Sequence, residues 1–296
     1  VKSIDVSAEN ETTRIVRAKT AGFCMGVGLA LRKLDAETRE GRLPLFTLGP
    51  IIHNPQVLEH YEKLGVHQEN DPDAIPAGAT VVIRAHGVPR EIERGLRERG
   101  VSIIDATCPK VKKAQLLIEE LASAGRKLLL FGEEDHPEVK GLVSYANAGA
   151  HVFGSIAALE ALLETEIDKG DKFFLAAQTT QDRDVFESIV ELLRRRLDPE
   201  LPVHETICNA TRQRQDEARS IAHQVDAMVV VGGYTSGNTR RLVDVARGRG
   251  IPCQHVEIAD ELDLDALAGK QRIGLTAGAS TPKEIIDAVE HRLGTL

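Results

Sequence analysis

A trefoil of three pseudo-equivalent α/β units, each with a parallel-type sheet, is the fold class this sequence predicts, and three observations carry the prediction. Short β-rich runs alternate with segments of helical period along the chain, the pattern of α/β units. Runs such as VVIRAHG and AMVVVGG lack polar alternation, as strands covered on both faces do. One local setting also recurs three times: an apolar run, a cysteine, then an amphipathic helix, at Cys24, Cys108 and Cys208.

The elements follow in order. RIVRAKTAGFC ends at Cys24 and the helix-like MGVGLALRKLDAETRE comes next; LPLFTLG and ATVVIRAHG read as strands, EIERGLRERG as a helix. VSIIDATC ends at Cys108 and leads into PKVKKAQLLIEELASAG, followed by strands KLLLFGE, HVFG and KFFLAAQ and the helix VFESIVELLRRRL. VHETIC ends at Cys208 before NATRQRQDEARSIAHQV; AMVVVGGY, PCQHVEI and IGLTAGA are strands, TRRLVDVARGRG and TPKEIIDAVEHRL helices. Three units are expected, at 14–100, 101–203 and 204–290, each with a cysteine near its start. No low-complexity linker separates them, which favours one compact assembly. The opening VKSIDVSAENETTR lacks the basic-then-apolar layout of a secretory signal and reads as a polar, loose leader.

At 296 residues, with 42% hydrophobic and 28% charged side chains, the chain has the composition of a soluble globular protein with ample core. A formal charge of −8 argues against a nucleic-acid surface, and the absence of tryptophan argues against base-stacking platforms. No apolar run approaches a membrane span. Four cysteines do not make a secreted disulfide scaffold; thiolates kept for metal in a reducing cytoplasm fit better.

A thiolate at a helix N-terminus is favoured by the macrodipole and is expected to have a lowered pKa, as metal ligation requires. Three such cysteines converging would hold a cluster with one open position. Zinc is the alternative, but structural zinc prefers C-x-x-C knuckles, absent here, whereas iron–sulfur clusters are thiolate-bound. Cys253 has no helix after it and reads as a small core hydrophobe. His53, His86 and His136 lie just past apolar runs, where α/β proteins place ligands; His60, His67, His151, His204, His223, His255 and His291 have no such setting. Two strand-to-helix turns suit anions: one opened by Ser236 or Asn238, the other by Ser280 as N-cap with Pro282 just inside. Together with the histidines they suggest a diphosphate clamp. Glu138 is the candidate acid, since a carboxyl in a closed pocket keeps its proton; Glu133, Glu134 and Asp135 stand in a more polar run and are expected to be solvated.

The segments AGFCMGV, IIHNPQVLEHYEKLG, AHGVP, DATCPKV, GEEDHPEVKG, QTT, ICNATRQRQ, SGNTRRL and TAGASTP, in this order across residues 14 to 290, resemble the 4-hydroxy-3-methylbut-2-enyl diphosphate reductase family. The resemblance implies a trefoil α/β enzyme around a 4Fe–4S cluster ligated by Cys24, Cys108 and Cys208, whose fourth iron binds the substrate hydroxyl. It implies that His53, His86, Ser236, Asn238 and Ser280 hold the diphosphate, that His136 and Thr179 complete the pocket, and that Glu138 delivers a proton. Electrons would come from a ferredoxin or flavodoxin, and the products would be isopentenyl and dimethylallyl diphosphate. Gly237 stands where many relatives carry a second serine, Ala21 where an arginine is often found, and Ala177 where a threonine is frequent. The rival readings are a condensing dehydratase of the quinolinate synthase type, which would need a dicarboxylate site, and a non-catalytic metal or redox sensor.

Overall fold

A computed structural model describes residues 13–168 and 170–296. The expected leader therefore lies almost wholly outside the described residues. The strands are β1 (Arg14–Arg17), β2 (Leu45–Leu48), β3 (Val66–Glu69), β4 (Thr80–Ile83), β5 (Ser102–Asp105), β6 (Lys127–Phe131), β7 (Ala150–Phe153), β8 (Phe173–Ala177), β9 (Ala227–Val231), β10 (Cys253–Val256) and β11 (Arg272–Ala277). The helices are α1 (Met25–Arg39), α2 (Pro55–Lys63), α3 (Arg90–Glu98), α4 (Pro109–Ser123), α5 (Pro137–Val143), α6 (Ile156–Thr165), α7 (Arg183–Arg196), α8 (Asn209–Ala222), α9 (Gly237–Arg247) and α10 (Lys283–Leu293). The expected strands and long helices are all present; β3, α2, α5 and α6 are additional.

Three sheets form, ordered β3-β2-β4-β5, β7-β6-β8 and β10-β9-β11-β1, and every pairing is parallel. The trefoil of α/β units is thus borne out, but the pairing cuts across the unit boundaries expected from sequence. β1, placed in the first unit, is the edge strand of the third sheet, and β5, placed in the second, closes the first. The VHETIC segment is not a strand: only Val203 bridges to Leu175 of β8, with Leu175 N–H donating to Pro202 O at 2.9 Å.

The physical reason is the path of the chain at each cysteine. The strand before it finishes one sheet, and the helix after it packs on the next. Helix α1 buries Ala30, Leu31 and Leu34 against Leu45 and Val82 of the first sheet. Helix α4 buries Ala114 and Ile118 against Leu128 and Leu130 of the second. Helix α8 buries Ala218, Ile221 and Ala222 against Met228 and Val230 of the third. The opposite faces are covered too: α7 places Phe186 and Ile189 on Leu129 and Phe131, and α10 places Ile286 and Val289 on Val229 and Leu275. Consecutive strand residues therefore face different helices, and both sets must be apolar.

Candidate active site

Loops after the carboxyl ends of the inner strands meet in one central cavity, where open parallel sheets place ligands. Cys24, Cys108 and Cys208 line it, as do His53, His86, His136, Glu138, Thr179, Ser236, Gly237, Asn238 and Ser280. The cavity has a volume of about 100 Å³. None of the seven histidines read as structural lines it, nor does Cys253, which packs beside the core of the third sheet.

Each cysteine is fixed in the same way. Its backbone N–H donates to a carbonyl in the loop of the neighbouring strand: Cys24 to Ala279 (3.0 Å), Cys108 to Ala85 (2.9 Å), Cys208 to Thr179 (3.0 Å). Each then sits at the N-cap of the following helix. Cys24 Sγ accepts the Val27 N–H at 3.4 Å, and Cys208 Sγ accepts the Thr211 N–H at 3.3 Å with Thr211 Oγ1 at 3.2 Å. Gly26 is what lets the thiols approach: a Cβ there would lie 2.5 Å from Cys108 Sγ and 3.8 Å from Cys24 Sγ. The expected lowering of thiol pKa fails at Cys108. Burial pushes it up, its two thiol neighbours add to the rise, and backbone N–H groups at the head of α4 only partly oppose it. A bound metal reverses this balance, because a coordinating thiol is deprotonated outright. Three free thiols lining one cavity fit a thiolate-bound cluster that needs a position left open to ligand.

The same cavity is lined by three imidazoles whose ring nitrogens approach within 4.8 Å of one another. His53 and His86 have ring centroids 4.9 Å apart, and His86 and His136 5.2 Å. All three are held neutral. Burial is the main cause, with the Arg84 guanidinium adding repulsion; it pushes His53 and His136 down to about 4 and His86 well below the usual range. His136 is the N-cap of α5, and its Nδ1 accepts the Glu138 N–H at 3.1 Å. Its proton therefore sits on Nε2. His53 Nε2, His86 Nδ1 and Asn238 Nδ2 are buried with no hydrogen-bond partner among the described residues, a cost that a polar ligand removes.

Ser236 opens α9, accepting the Thr239 N–H at 3.3 Å, which leaves its own O–H to donate. Ser280 is not the N-cap of α10, as the sequence suggested: Pro282 takes that position. The Ser280 hydroxyl instead donates to His53 O at 3.2 Å and ties two loops of the site together. Glu138 is buried, accepting Thr179 N–H at 2.6 Å and Thr179 Oγ1–H at 2.9 Å. Burial raises it to about 7 despite those bonds. Glu133 departs from the solvated state expected of it: it accepts from Arg240 at 2.6 Å and Arg241 at 3.1 Å, joining the His136 loop to α9. Glu134 and Asp135 are exposed. Lys110 and Thr180 also line the cavity; neither carries a sequence signal beyond its neighbour Cys108 or Thr179.

A trefoil of parallel α/β units around one central cavity is the fold this chain shares with the LytB proteins. The profile of that family, described as LytB protein, matches residues 15–294. A 4-hydroxy-3-methylbut-2-enyl diphosphate reductase of Nitratidesulfovibrio vulgaris strain Miyazaki F is 58% identical, over 96% of this chain and 100% of its own. One of Geobacter sulfurreducens is 44% identical over 94% and 96%. The structure of the Plasmodium falciparum E-1-hydroxy-2-methyl-but-2-enyl-4-diphosphate reductase superposes with TM-score 0.89 at 26% identity, covering 95% of this chain and 87% of that one. A second reductase structure, titled as the terminal enzyme of the non-mevalonate pathway, is 37% identical with TM-score 0.67, covering 96% and 100%. The chain belongs to this family, the 4-hydroxy-3-methylbut-2-enyl diphosphate reductases, oxidoreductases of isoprenoid synthesis.

Proposed function

We propose that the central cavity is where this chain carries out the reductive dehydroxylation of 4-hydroxy-3-methylbut-2-enyl diphosphate to isopentenyl and dimethylallyl diphosphate. The observation that carries the reading is the content of one cavity: three thiols, unpartnered imidazole and amide nitrogens, and a carboxyl that holds its proton near neutral pH. Cys24, Cys108 and Cys208 would hold a 4Fe–4S cluster, which when bound would supply electrons and Lewis acidity.

The chain's own residues do the rest. His53, His86, Asn238 and the free hydroxyl of Ser236 donate to the diphosphate, aided by the N-terminal N–H groups of α9. Ser280 donates once its O–H turns from His53 O to the diphosphate, and Gly237 offers only its backbone N–H. Holding the substrate by its diphosphate fixes the allylic end in the cavity, so an encounter becomes a positioned reaction. His136 donates from Nε2. Glu138, aligned by Thr179, holds a proton at neutral pH and gives it to the departing hydroxyl, which is otherwise a poor leaving group. The buried walls keep bulk water from competing for that proton.

Electrons must enter from outside, and a ferredoxin or flavodoxin supplies them in this reading. Free thiols with no disulfide among the described residues support a reducing compartment such as the cytoplasm. No helix of the described residues is long and apolar enough to cross a membrane. The test is anaerobic turnover of the allylic diphosphate with reduced viologen on protein whose iron and sulfide have been counted. Formation of both five-carbon diphosphates is expected; a full cluster without turnover sinks the reading.

A further inference from the structure

Three neutral imidazoles and three amide or hydroxyl donors bring hydrogen bonds to a diphosphate but no charge. A multiply anionic group moved from water into a closed cavity requires a fixed counter-charge. The lining offers one lysine, Lys110, beside Cys108, and Arg240 on α9 is already paired with Glu133. The missing charge lies one layer back.

Arg84 follows β4 directly and precedes Ala85 and His86 in the loop that carries one of the clamp histidines. Its guanidinium packs against Gly49, at the start of the loop that carries His53. A Cβ at Gly49 would lie 2.9 Å from Arg84 Cζ, and the backbone there has φ +71°, which glycine adopts without strain. The cation is thus wedged beneath two histidine loops. It has no ion pair or side-chain hydrogen bond among the described residues, and its Nε is buried without a partner. A guanidinium mostly removed from water with no carboxylate beside it is rare and costly. Its field reaches His53, His86 and His136 alike, opposing a proton on each. The same field decides between the two ligands that three close imidazoles admit: it repels a divalent cation and attracts an anion.

We infer that Arg84 is the charge-balancing residue of the diphosphate site, a positioning residue that supplies from behind the histidines the positive charge they lack. The inference rests on the cavity being a diphosphate site. Besides Arg84, the charged groups acting on the histidines are Glu133 and Arg240, which pair with each other, and the histidines themselves. Arg84 is therefore the cation left uncompensated.

The test uses anaerobically purified, cluster-loaded enzyme with reduced viologen, reading KM for the allylic diphosphate and Ki for inorganic diphosphate. Arg84→Gln is expected to raise both by about tenfold or more while kcat changes by less than about threefold. Arg84→Lys, which keeps the charge, is expected to restore Ki to within about threefold of the natural protein. A merely structural role would lower kcat and iron content together, and Arg84→Lys would not selectively restore Ki. Unchanged Ki in a folded Arg84→Gln overturns the inference. Should that variant not fold, Arg84→Lys decides: Ki near the natural value supports the charge role, and a tenfold loss defeats it. If inorganic diphosphate fails to compete in the natural protein, it is the diphosphate reading of the cavity that falls.

Discussion

Glu138 illustrates how a single side chain takes its chemistry from its surroundings. Loss of hydration disfavours the carboxylate, the two bonds from Thr179 favour it, and burial wins, leaving the group at about 7. The acid form donates, so the protonated fraction is full below that value and falls about tenfold per pH unit above it. Turnover at saturating substrate is expected to fall as pH rises through about 7. Glu138→Gln should keep its iron, lose about 10²- to 10⁴-fold in kcat and lose this limb of the profile; unchanged rates would remove Glu138 from the reaction. Gly237 offers a second test. A Cβ there meets only Thr180 Oγ1 at 3.5 Å and His136 Nε2 and Gln178 Nε2 at 3.9 Å, ordinary contacts. The chain thus has room for the second serine that many relatives carry. Gly237→Ser is expected to fold normally and lower KM by a few fold, one added hydrogen bond being worth about 1 kcal/mol; a raised KM would mean the hydroxyl has no diphosphate oxygen to meet. At this scale the sequence was legible where residue type and setting agreed, as at Glu138 and Ser236. It was misleading at Ser280, because a hydroxyl near a helix start has two uses and local sequence does not say which. Arg84 was invisible: an arginine after a strand is ordinarily solvated, and only the close approach of Gly49 shows otherwise.

Among elements, the unit that matters is the strand, cysteine and helix. Its helix was readable from period and from the cysteine in capping position, and α1, α4 and α8 begin where that pattern put them. Its strand was less so, since VHETIC carries apolar residues yet makes a single bridge at Val203. Helix α5, at seven residues, has too few turns for a periodic signal, and it is there to aim His136 and Glu138; α2 and α6 are no shorter than the readable α3 but segregate apolar and charged faces less sharply. In α1 the first turn is constrained by the thiols rather than by helix propensity. Alanine is the better helix former by about 1 kcal/mol, yet a methyl group at position 26 would stand 2.5 Å from Cys108 Sγ. Gly26→Ala is therefore expected to keep the far-ultraviolet signature of the fold while losing most of its iron and its turnover. Retained iron at full stoichiometry would show that the thiols can shift to admit the methyl group and that Gly26 is not required for the cluster.

The whole molecule is a ring of three units, and the first and last described elements, β1 and α10, both belong to the third. In the first sheet β4, α3 and β5 form a crossover, and in the third β11, α10 and β1 occupy the equivalent places. The difference is that α10 and β1 lie at opposite ends of the sequence. Apolar pattern identifies RIVR as strand material but carries no information on which sheet it joins, so β1 and β5 fall in sheets other than those of their expected units, whereas Val203, at the end of the second unit, bridges to the second sheet. The ring also explains how the cavity is lined: in each unit the first strand's loop gives lining residues (His53, His136 with Glu138, Ser236–Asn238), the third gives others (His86, Thr179, Ser280), and the edge segment ends at a cysteine. Ion pairs from Arg17 to Asp287 at 2.7 Å and to Glu290 at 2.6 Å hold β1 along α10. Since α10 runs back along the sheet toward the start of β1, as any crossover helix must, a short Gly/Ser linker from Leu296 to Thr13 should supply the covalent connection that the other two units already have. A circular permutant built this way and opened at the exposed Gly41–Arg42 turn is expected to fold, bind iron at the natural stoichiometry and turn over within a few fold of the natural chain. Because Cys24 would then follow α10 in sequence as Cys108 follows α3, a folded permutant that cannot assemble iron would contradict the equivalence of the three units.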